Sequence, residues 1–478
     1  MDLKNYPEAL SSFLDSPADR ALLGMVYGRR RIGKSTLLVE QTRLRSGFYF
    51  EATRVDTPVQ LEQLGTALGE YLGVGRLAFA NWQEAFERLL RLPSKNPTAV
   101  VLDEFGHILE ADRSVESALA KAIGPGSSVG RLNTRLVICG SAVSMMRSLT
   151  AGQAPLRGRA GLGLLMHPDD FRKAAERLPS PENLSLAILV YSVIGGVVGY
   201  ATDMTNFDLP SESGDFDRWV AERVLSPAAP LHYEATILLA EDQMLAGANS
   251  LLHHSIMGAI ANGSVTAGSI GKRVNRQVSN LAPALNRLVD AGFVVRHVDP
   301  IRKQRTLYSL SDSYLQFHYA VLEPHRALLR SRLPVTVWQQ RLLSTFNARV
   351  LGPVFEEMAR DWVQKFADTK TLGGLAHHIG PSTIKMNGVS AELDVVVAGE
   401  GEVASERNIL AIGEAKAGEN PGQRHLARLE KVRSALGARA ISAKLLLFGP
   451  AFTDTLVGLA NARSDVELIG FDRLYRGS

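Results

Sequence analysis

Disulfide chemistry is the first thing this chain lacks. Its 478 residues contain one cysteine, Cys139, set inside an apolar run. A single thiol gives no disulfide framework and no cysteine-based zinc site, and its setting reads as a small buried hydrophobe. Long uncharged apolar stretches are missing too. None reaches about 18 residues, so no transmembrane helix and no membrane partner is expected. The first 20 residues carry Asp2, Glu8, Asp15 and Asp19 and no apolar h-region, which argues against a secretory signal. The cytoplasm is the expected address. Charge of one sign is not in excess, because the formal net charge is only +4. Nucleic acid as a partner must then be argued from local clusters of basic residues. Internal repeats and low-complexity tracts are absent. What remains is ordinary globular composition, 45% hydrophobic and 21% charged. The length suits roughly three or four domains.

The most informative stretch is Gly28–Ser35, G-R-R-R-I-G-K-S, which fits the phosphate-loop pattern G-x-x-x-x-G-K-[ST]. An apolar run, Ala21–Val26, precedes it, and Thr36, Leu37, Leu38 and Val39 open a helix behind it. Gly28 and Gly33 let the backbone curl, so that N–H groups of the loop (Arg29, Arg30, Arg31, Ile32) turn toward phosphate oxygens. The helix N-terminus, with Ser35 and Thr36, adds its positive dipole end. Lys34 is expected at the β- and γ-phosphates and Ser35 at Mg²⁺. A strand is expected at Gly47–Ala52, then helices at Pro58–Leu72 and Trp82–Leu92. Thr98–Phe105, T-A-V-V-L-D-E-F, is an apolar strand closing in two acids. Ligands meet such a strand at its carboxyl end. Asp103 is expected in the Mg²⁺ shell and Glu104 on the attacking water; the alternative is an ordinary acidic turn. Leu136–Ser141 is a further buried strand ending in a polar residue. Of two loop arginines in P-L-R-G-R-A, Arg159 is the first candidate to stabilise transition-state charge and Arg157 the second, against solvated loop residues.

Together the Arg-rich loop, the strand ending Asp-Glu, the I-C-G-S strand and the L-R-G-R segment resemble the archaeal-type ATPases of the AAA/STAND group. That resemblance implies ATP and Mg²⁺ as cofactors and Ser141 as a sensor of the γ-phosphate. It implies a small helical lid with a G-G-x-P-x-Y-like turn, here Gly195-Gly196-Val197-Val198-Gly199-Tyr200, without the proline. The family's upstream Arg-Glu element is not evident. An arginine acting in trans, if Arg159 does so, implies a homo-oligomer.

From Ser250 the pattern changes. Helices are expected at Ser250–Ala261, Thr266–Val274 and Gln277–Ala291, then strands at Phe293–Arg296 and Arg305–Leu310, with Asp299-Pro300 as a turn signal between them. Three helices and a hairpin resemble a winged helix-turn-helix. Gln277, Ser279 and Asn280 are candidates for the major groove. Arg296, Arg302, Lys303 and Arg305 of the wing suit phosphates. The alternative is a packing module with a solvated hairpin.

Tyr314–Arg332 reads as a connecting helix, and another domain follows Pro334. Leu342–Lys365 is helical and contains Glu356. Ala391–Ala398 and Ile409–Ala417 read as strands, with Asn387-Gly388 a hairpin signal before the first. Alternate strand residues share a face, so two paired strands can bring Asp394, Glu414 and Lys416 to one spot. Carboxylates there can hold Mg²⁺ on a scissile phosphate, and the lysine adds positive charge. The alternative is a surface cross-strand ion pair. Asp, about 20 residues, then E-x-K resembles the PD-(D/E)xK nuclease superfamily, and more closely the domain fused behind archaeal-type ATPases. Glu356 matches that superfamily's first-helix acid. Further elements are expected at Gln423–Leu436, Lys444–Phe448, Phe452–Ala462 and Val466–Phe471.

The expected fold class is multidomain α/β. A P-loop ATPase core (1–165), a helical lid (166–240), a winged helix-turn-helix (241–330) and a restriction-endonuclease-like domain (331–478) follow one another. The expected function is an ATP-hydrolysing, DNA-acting protein. Its alternative is a nucleotide-dependent STAND-type switch with an inert nuclease fold.

Overall fold

The computed structural model describes residues 6–18, 20–92, 98–127, 132–242, 244–247, 249–303, 305–386 and 388–478. The chain divides into two compact units. The first runs to Pro168 and takes in Glu241–Met244 and Asp290–Gly292; the second holds the remainder.

The first unit is built on a five-stranded sheet in the order β2-β3-β4-β1-β5. Its strands are β1 Leu22–Tyr27, β2 Phe48–Glu51, β3 Thr98–Asp103, β4 Thr134–Gly140 and β5 Ala160–Leu165. Every pairing is parallel. Central parallel strands are covered on both faces, and β3 and β4 are buried at every residue, as their unbroken apolar runs require. Helices Thr57–Leu72, Trp82–Leu90 and Phe105–Ala111 close one core with Trp82, Phe86, Phe105 and Leu109. The chain goes from β1 to the far edge, returns through β3 and β4, and crosses β1 to add β5. The carboxyl end of β1 therefore lies where the strand order reverses, which is where open α/β sheets bind ligands. β5 is missing from the expected elements. Its A-G-L-G-L-L sequence carries two glycines, and as an edge strand it is only partly buried, so neither propensity nor an apolar run marks it.

Early in the second unit, helix Phe171–Ala175 is followed by helix Leu184–Ile194 and a tight glycine turn. Gly195 has φ 62°. A Cβ on Gly196 would stand 1.7 Å from the Asp169 carbonyl oxygen. Three helices follow, Ser250–Ala261, Ala267–Arg273 and Val278–Asp290, then the antiparallel hairpin β6 Val294–Val298 and β7 Thr306–Leu310. Thr266 caps the second helix through a reciprocal pair with Ser269. The single helix expected over Tyr314–Arg332 is instead broken: α-turns at Ser313–Phe317 and Arg326–Ser331 flank wider turns at His318–Leu322 and a tighter turn at Glu323–His325. Pro324 removes one backbone donor at this break.

A second five-stranded sheet has the order β12-β11-β10-β9-β8. Its members are β8 His378–Met386, β9 Val389–Ala398, β10 Ile409–Ala415, β11 Lys444–Phe448 and β12 Val466–Ile469. β8, β9 and β10 are antiparallel; β10, β11 and β12 are parallel. Helices Gly352–Lys365 and Gln423–Leu436 pack on it. Asn387 of the hairpin signal lies outside the described residues, and the strand before it, β8, is absent from the expected elements. The three segments expected as lid, winged helix and C-terminal domain pack as one unit.

Candidate functional site

Two constellations stand out, one per unit. In the first, the loop Gly28–Gly33 joins β1 to the helix Lys34–Leu44. Gly28 is required by close approach, since a Cβ there would meet the Met166 carbonyl oxygen at 2.4 Å. Gly33 is required by conformation, with φ 90°. A Cβ on Gly33 would touch nothing within 4 Å, so the loop borders open space. Arg31 also has a left-handed backbone, φ 65°. Lys34 is only 5% exposed, and its ammonium donates to the Arg29 carbonyl at 2.8 Å. Burial pushes its pKa down, while Asp103 and Glu104 pull it back. Arg29 and Ile32 are buried, and Ser35 and Thr36 are exposed at the mouth. Arg30 is ion-paired with Glu241.

Asp103 ends β3 and is fully buried. Its Oδ2 accepts the Tyr49 hydroxyl at 2.8 Å and its Oδ1 accepts the Glu104 N–H at 2.8 Å. Burial, then the nearby Asp103 carboxylate, pushes the Cys139 thiol up. Burial, then Asp103, also raises the Tyr49 phenol, which stays protonated as a donor. Glu104 holds φ 47°, a left-handed conformation that a non-glycine residue adopts at a cost of about 1–3 kcal/mol and that clusters at functional positions. Ser141 donates to Glu104 Oε2 at 3.1 Å, so the two candidates for sensing and for water orientation share one hydrogen bond.

Arg159 does not join them. It precedes β5, whose first residues pair with Leu23 at the amino end of β1. Six strand residues at about 3.3 Å each put it roughly 20 Å from the loop along the sheet. Its guanidinium donates to the Ala120 carbonyl. Arg157 donates to the Gly152 carbonyl at 2.7 Å. Neither arginine serves the loop of its own chain. Sequence reasoning also missed Tyr49 and read Cys139 only as packing. Both reach Asp103 from neighbouring strands, and strand order carries no local signal.

In the second unit, β9 and β10 bring Asp394, Glu414 and Lys416 together. Asp394 Oδ2 accepts the Ala415 N–H at 2.8 Å. The Lys416 ammonium stands 3.6 Å from Asp394 and 3.3 Å from Glu414. Arg428 of the helix Gln423–Leu436 bonds Glu414 Oε1 at 2.8 Å. Glu414 is 4% exposed, and its Oε2 is buried with no hydrogen-bond partner. An unsatisfied buried carboxylate oxygen beside a second carboxylate suits a divalent cation. Among the described residues no three of His, Cys, Asp and Glu form a ready metal cage, so water or backbone would complete the shell. Glu356 of Gly352–Lys365 carries its charge near Asp394. Burial and then Asp394 push its pKa up to about 8. Burial likewise raises Asp394, against Lys416. Arg360 holds the Asp394 carbonyl at 2.7 Å.

Gln277, Ser279 and Asn280 are exposed at the start of the helix Val278–Asp290. Lys303 is exposed and Arg302 partly so. Arg296 bonds Asn286. Arg305 is committed elsewhere: it donates to the Thr383 carbonyl at 3.3 Å and to the Thr383 hydroxyl at 3.2 Å.

No family model matches the chain. Among curated proteins, the uncharacterized protein MJECL04 of Methanocaldococcus jannaschii is similar, 22% identical over 367 residues, which is 76% of this chain and 77% of that protein. Among solved structures, the Walker-type ATPase paby2304 of Pyrococcus abyssi is similar at 18% identity and TM-score 0.48, over 67% of this chain and 96% of that one. The ORC2 protein of Aeropyrum pernix is similar at 16% identity and TM-score 0.43, over 69% of this chain and 94% of that one. At such distances function is carried by the residues themselves. The first unit has the parallel five-stranded α/β sheet and glycine-lysine loop of a P-loop core. Among the described residues no helix is long and apolar enough to cross a membrane.

Proposed function

We propose that the chain binds and hydrolyses ATP at the loop Gly28–Thr36 and acts on DNA through its second unit. One observation carries the ATPase reading. A buried lysine and a fully buried aspartate meet at the carboxyl ends of a parallel sheet, beside a left-handed glycine that faces open space. Loop N–H groups and the helix N-terminus would hold the triphosphate, with Lys34 turning from the Arg29 carbonyl to the phosphates. Ser35 and Asp103 are the residues that would hold Mg²⁺, which when bound offsets charge on the β- and γ-phosphate oxygens. Glu104 would orient the attacking water, and Ser141 would couple that carboxylate to the γ-phosphate. Arg159 is assigned a role in trans, from a second copy.

The test is calorimetry and turnover on three proteins. The parent binds ATP with Mg²⁺. Lys34→Ala loses binding. Glu104→Gln keeps binding and loses about a hundredfold or more in turnover. A parent that binds no nucleotide refutes the assignment.

In the second unit Asp394 and Glu414 would hold a divalent cation, which when bound polarises a phosphodiester and lowers the pKa of its water. Lys416 would supply fixed positive charge to the reacting phosphate. The orphaned Glu414 oxygen supports this. The grip of both Lys416 and Arg428 on the other Glu414 oxygen favours the second reading, a nucleotide-driven switch with a silent nuclease fold. Plasmid incubated with Mn²⁺ and ATP decides. Cleavage lost in Asp394→Ala and Glu414→Ala supports the nuclease; intact plasmid alongside normal ATP turnover supports the switch.

A further inference from the structure

The wing does not stand free. Asp299, at its tip, is fully buried, and its Oδ1 accepts the backbone N–H groups of Ile301 and Arg302 and, at 2.8 Å, the Ser382 hydroxyl of β8. Arg305, just before β7, grips Thr383 on β8 and lies 3.7 Å from Asp299. The backbones themselves close up: a Cβ on Gly380 would stand 3.3 Å from the Val298 carbonyl oxygen. Hairpin and C-terminal sheet are thus fastened along one seam. A separate, swinging wing would show none of these contacts.

That seam is one wall of a groove of about 620 Å³. Arg302 and Arg305 enter it from the wing, Lys385 from β8 and Arg428 from the helix Gln423–Leu436, with Glu392 as the carboxylate on its lining. Four cations face one lining carboxylate; Asp299 and Glu414 partner Arg305 and Arg428, so the unbalanced positive charge sits at Arg302 and Lys385. Arg428 connects the groove to the acidic cluster, since one of its nitrogens bonds Glu414 at 2.8 Å and the other the Glu392 carbonyl at 2.9 Å. Two of the cations, Arg305 and Arg428, are fixed by protein contacts; Arg302 and Lys385 carry charge on its open side.

We infer that this groove is the path of a single DNA strand, whose phosphates lie along Arg302, Lys385 and Arg428 and lead to Asp394 and Glu414. This rests on the DNA-acting reading above and gives it a substrate form. A positive groove with polar walls tracks a phosphate backbone without reading bases. Its small volume, walled by the wing on one side and the sheet on the other, suits one strand in place of a double helix. Lys385 thereby joins the contact set, and the wing becomes a clamp on the C-terminal site.

The experiment measures binding of the full chain to a fluorescent 20-nucleotide single strand and to the matching duplex, in EDTA across a salt series. Without metal, binding is read apart from cleavage. The parent is expected to prefer the single strand, with a log–log salt slope near −2, from three contacts at about 0.7 each. Arg302→Ala/Lys385→Ala is expected to lose about 1.4 of that slope and about tenfold or more in affinity. Its thermal midpoint should match the parent's, and Arg302→Lys/Lys385→Arg should restore binding. An unchanged slope in the alanine pair, or tighter binding of the duplex, overturns the inference. Strand binding that follows these variants while DNA stays uncut under Mn²⁺ upholds the groove and removes the nuclease.

Discussion

Asp103 gathers a phenol and a backbone N–H on one buried carboxylate. Hydrogen bonds to a charged group are worth about 1.5–3 kcal/mol when the partner is buried. Tyr49→Phe therefore should keep the fold, lower the thermal midpoint and raise the Mg²⁺ concentration needed for half-maximal ATP turnover. Identical melting and identical Mg²⁺ dependence would show that Tyr49 is a bystander. Whether a residue was legible in the sequence follows from how local its chemistry is. Lys34, Ser35 and the two glycines act within eight consecutive positions, so spacing alone marks them. Asp103 and Glu104 are read from the apolar run before them. Tyr49 and Cys139 reach the same carboxylate from β2 and β4, and only the pairing of those strands with β3 joins them. Arg159 had the right chemistry by type, but its strand position sends it to the opposite end of the sheet.

Turns and edge strands are where element-level reading succeeded or failed. The paired glycines after Leu184–Ile194 were noticed for a resemblance, yet their physical reason is contact: Gly196 lies against the Asp169 carbonyl with no room for a methyl group. Gly196→Ala must move backbone against backbone, and a loss of about 2–4 kcal/mol is expected. Chemical denaturation measures it. A loss under about 0.5 kcal/mol would mean that the turn gives way freely. Central strands such as β3, β4 and β11 declared themselves as apolar runs because both of their faces are covered. β5 and β8 did not, since edge strands need only one buried side and tolerate glycine and proline. β8 contains both Gly380 and Pro381. Asp394, Glu414 and Lys416 could be brought together from alternation alone, because β9 and β10 pair in the register the alternation assumes. The wing shows the limit of that method. Its basic residues were visible, but the buried Asp299 that pins the hairpin to β8 was read only as a turn former.

Across the whole chain, burial of neutral histidines sets how stability answers to acid. His232, His253, His254 and His318 are each pushed below the ordinary value of 6.5, burial being the first cause in every case. His318 faces Glu323, with Arg326 on the same carboxylate, and His254 bonds the Tyr319 hydroxyl. Depressed folded-state values mean that the unfolded chain takes up protons first, so their contribution is present above about pH 6.5 and is lost as pH falls through the folded values. The melting midpoint is expected to drop between about pH 7.5 and 5.5, less steeply in His318→Gln; a flat profile in the parent would contradict this.

The course of the chain carries a further consequence. It leaves the first unit at Pro168 and returns with Glu241–Met244, shortly before the helix Ser250–Ala261. On that return Glu241 pairs with Arg30 of the phosphate loop, and Asp242 accepts the Ser144 hydroxyl. Were the proposed triphosphate to engage the Arg30 guanidinium, it would compete with Glu241 for it. Both side chains are more than a third exposed, which limits the pair to about 1 kcal/mol or less. Glu241→Gln should therefore tighten ATP binding by up to about fivefold, while Arg30→Ala should weaken it, and the double variant should show whether the two effects share a cause. If Glu241→Gln leaves ATP affinity unchanged in calorimetry, the pair is a surface contact. If it tightens binding only while Arg30 is present, loop occupancy and the Glu241 contact are coupled through that one guanidinium.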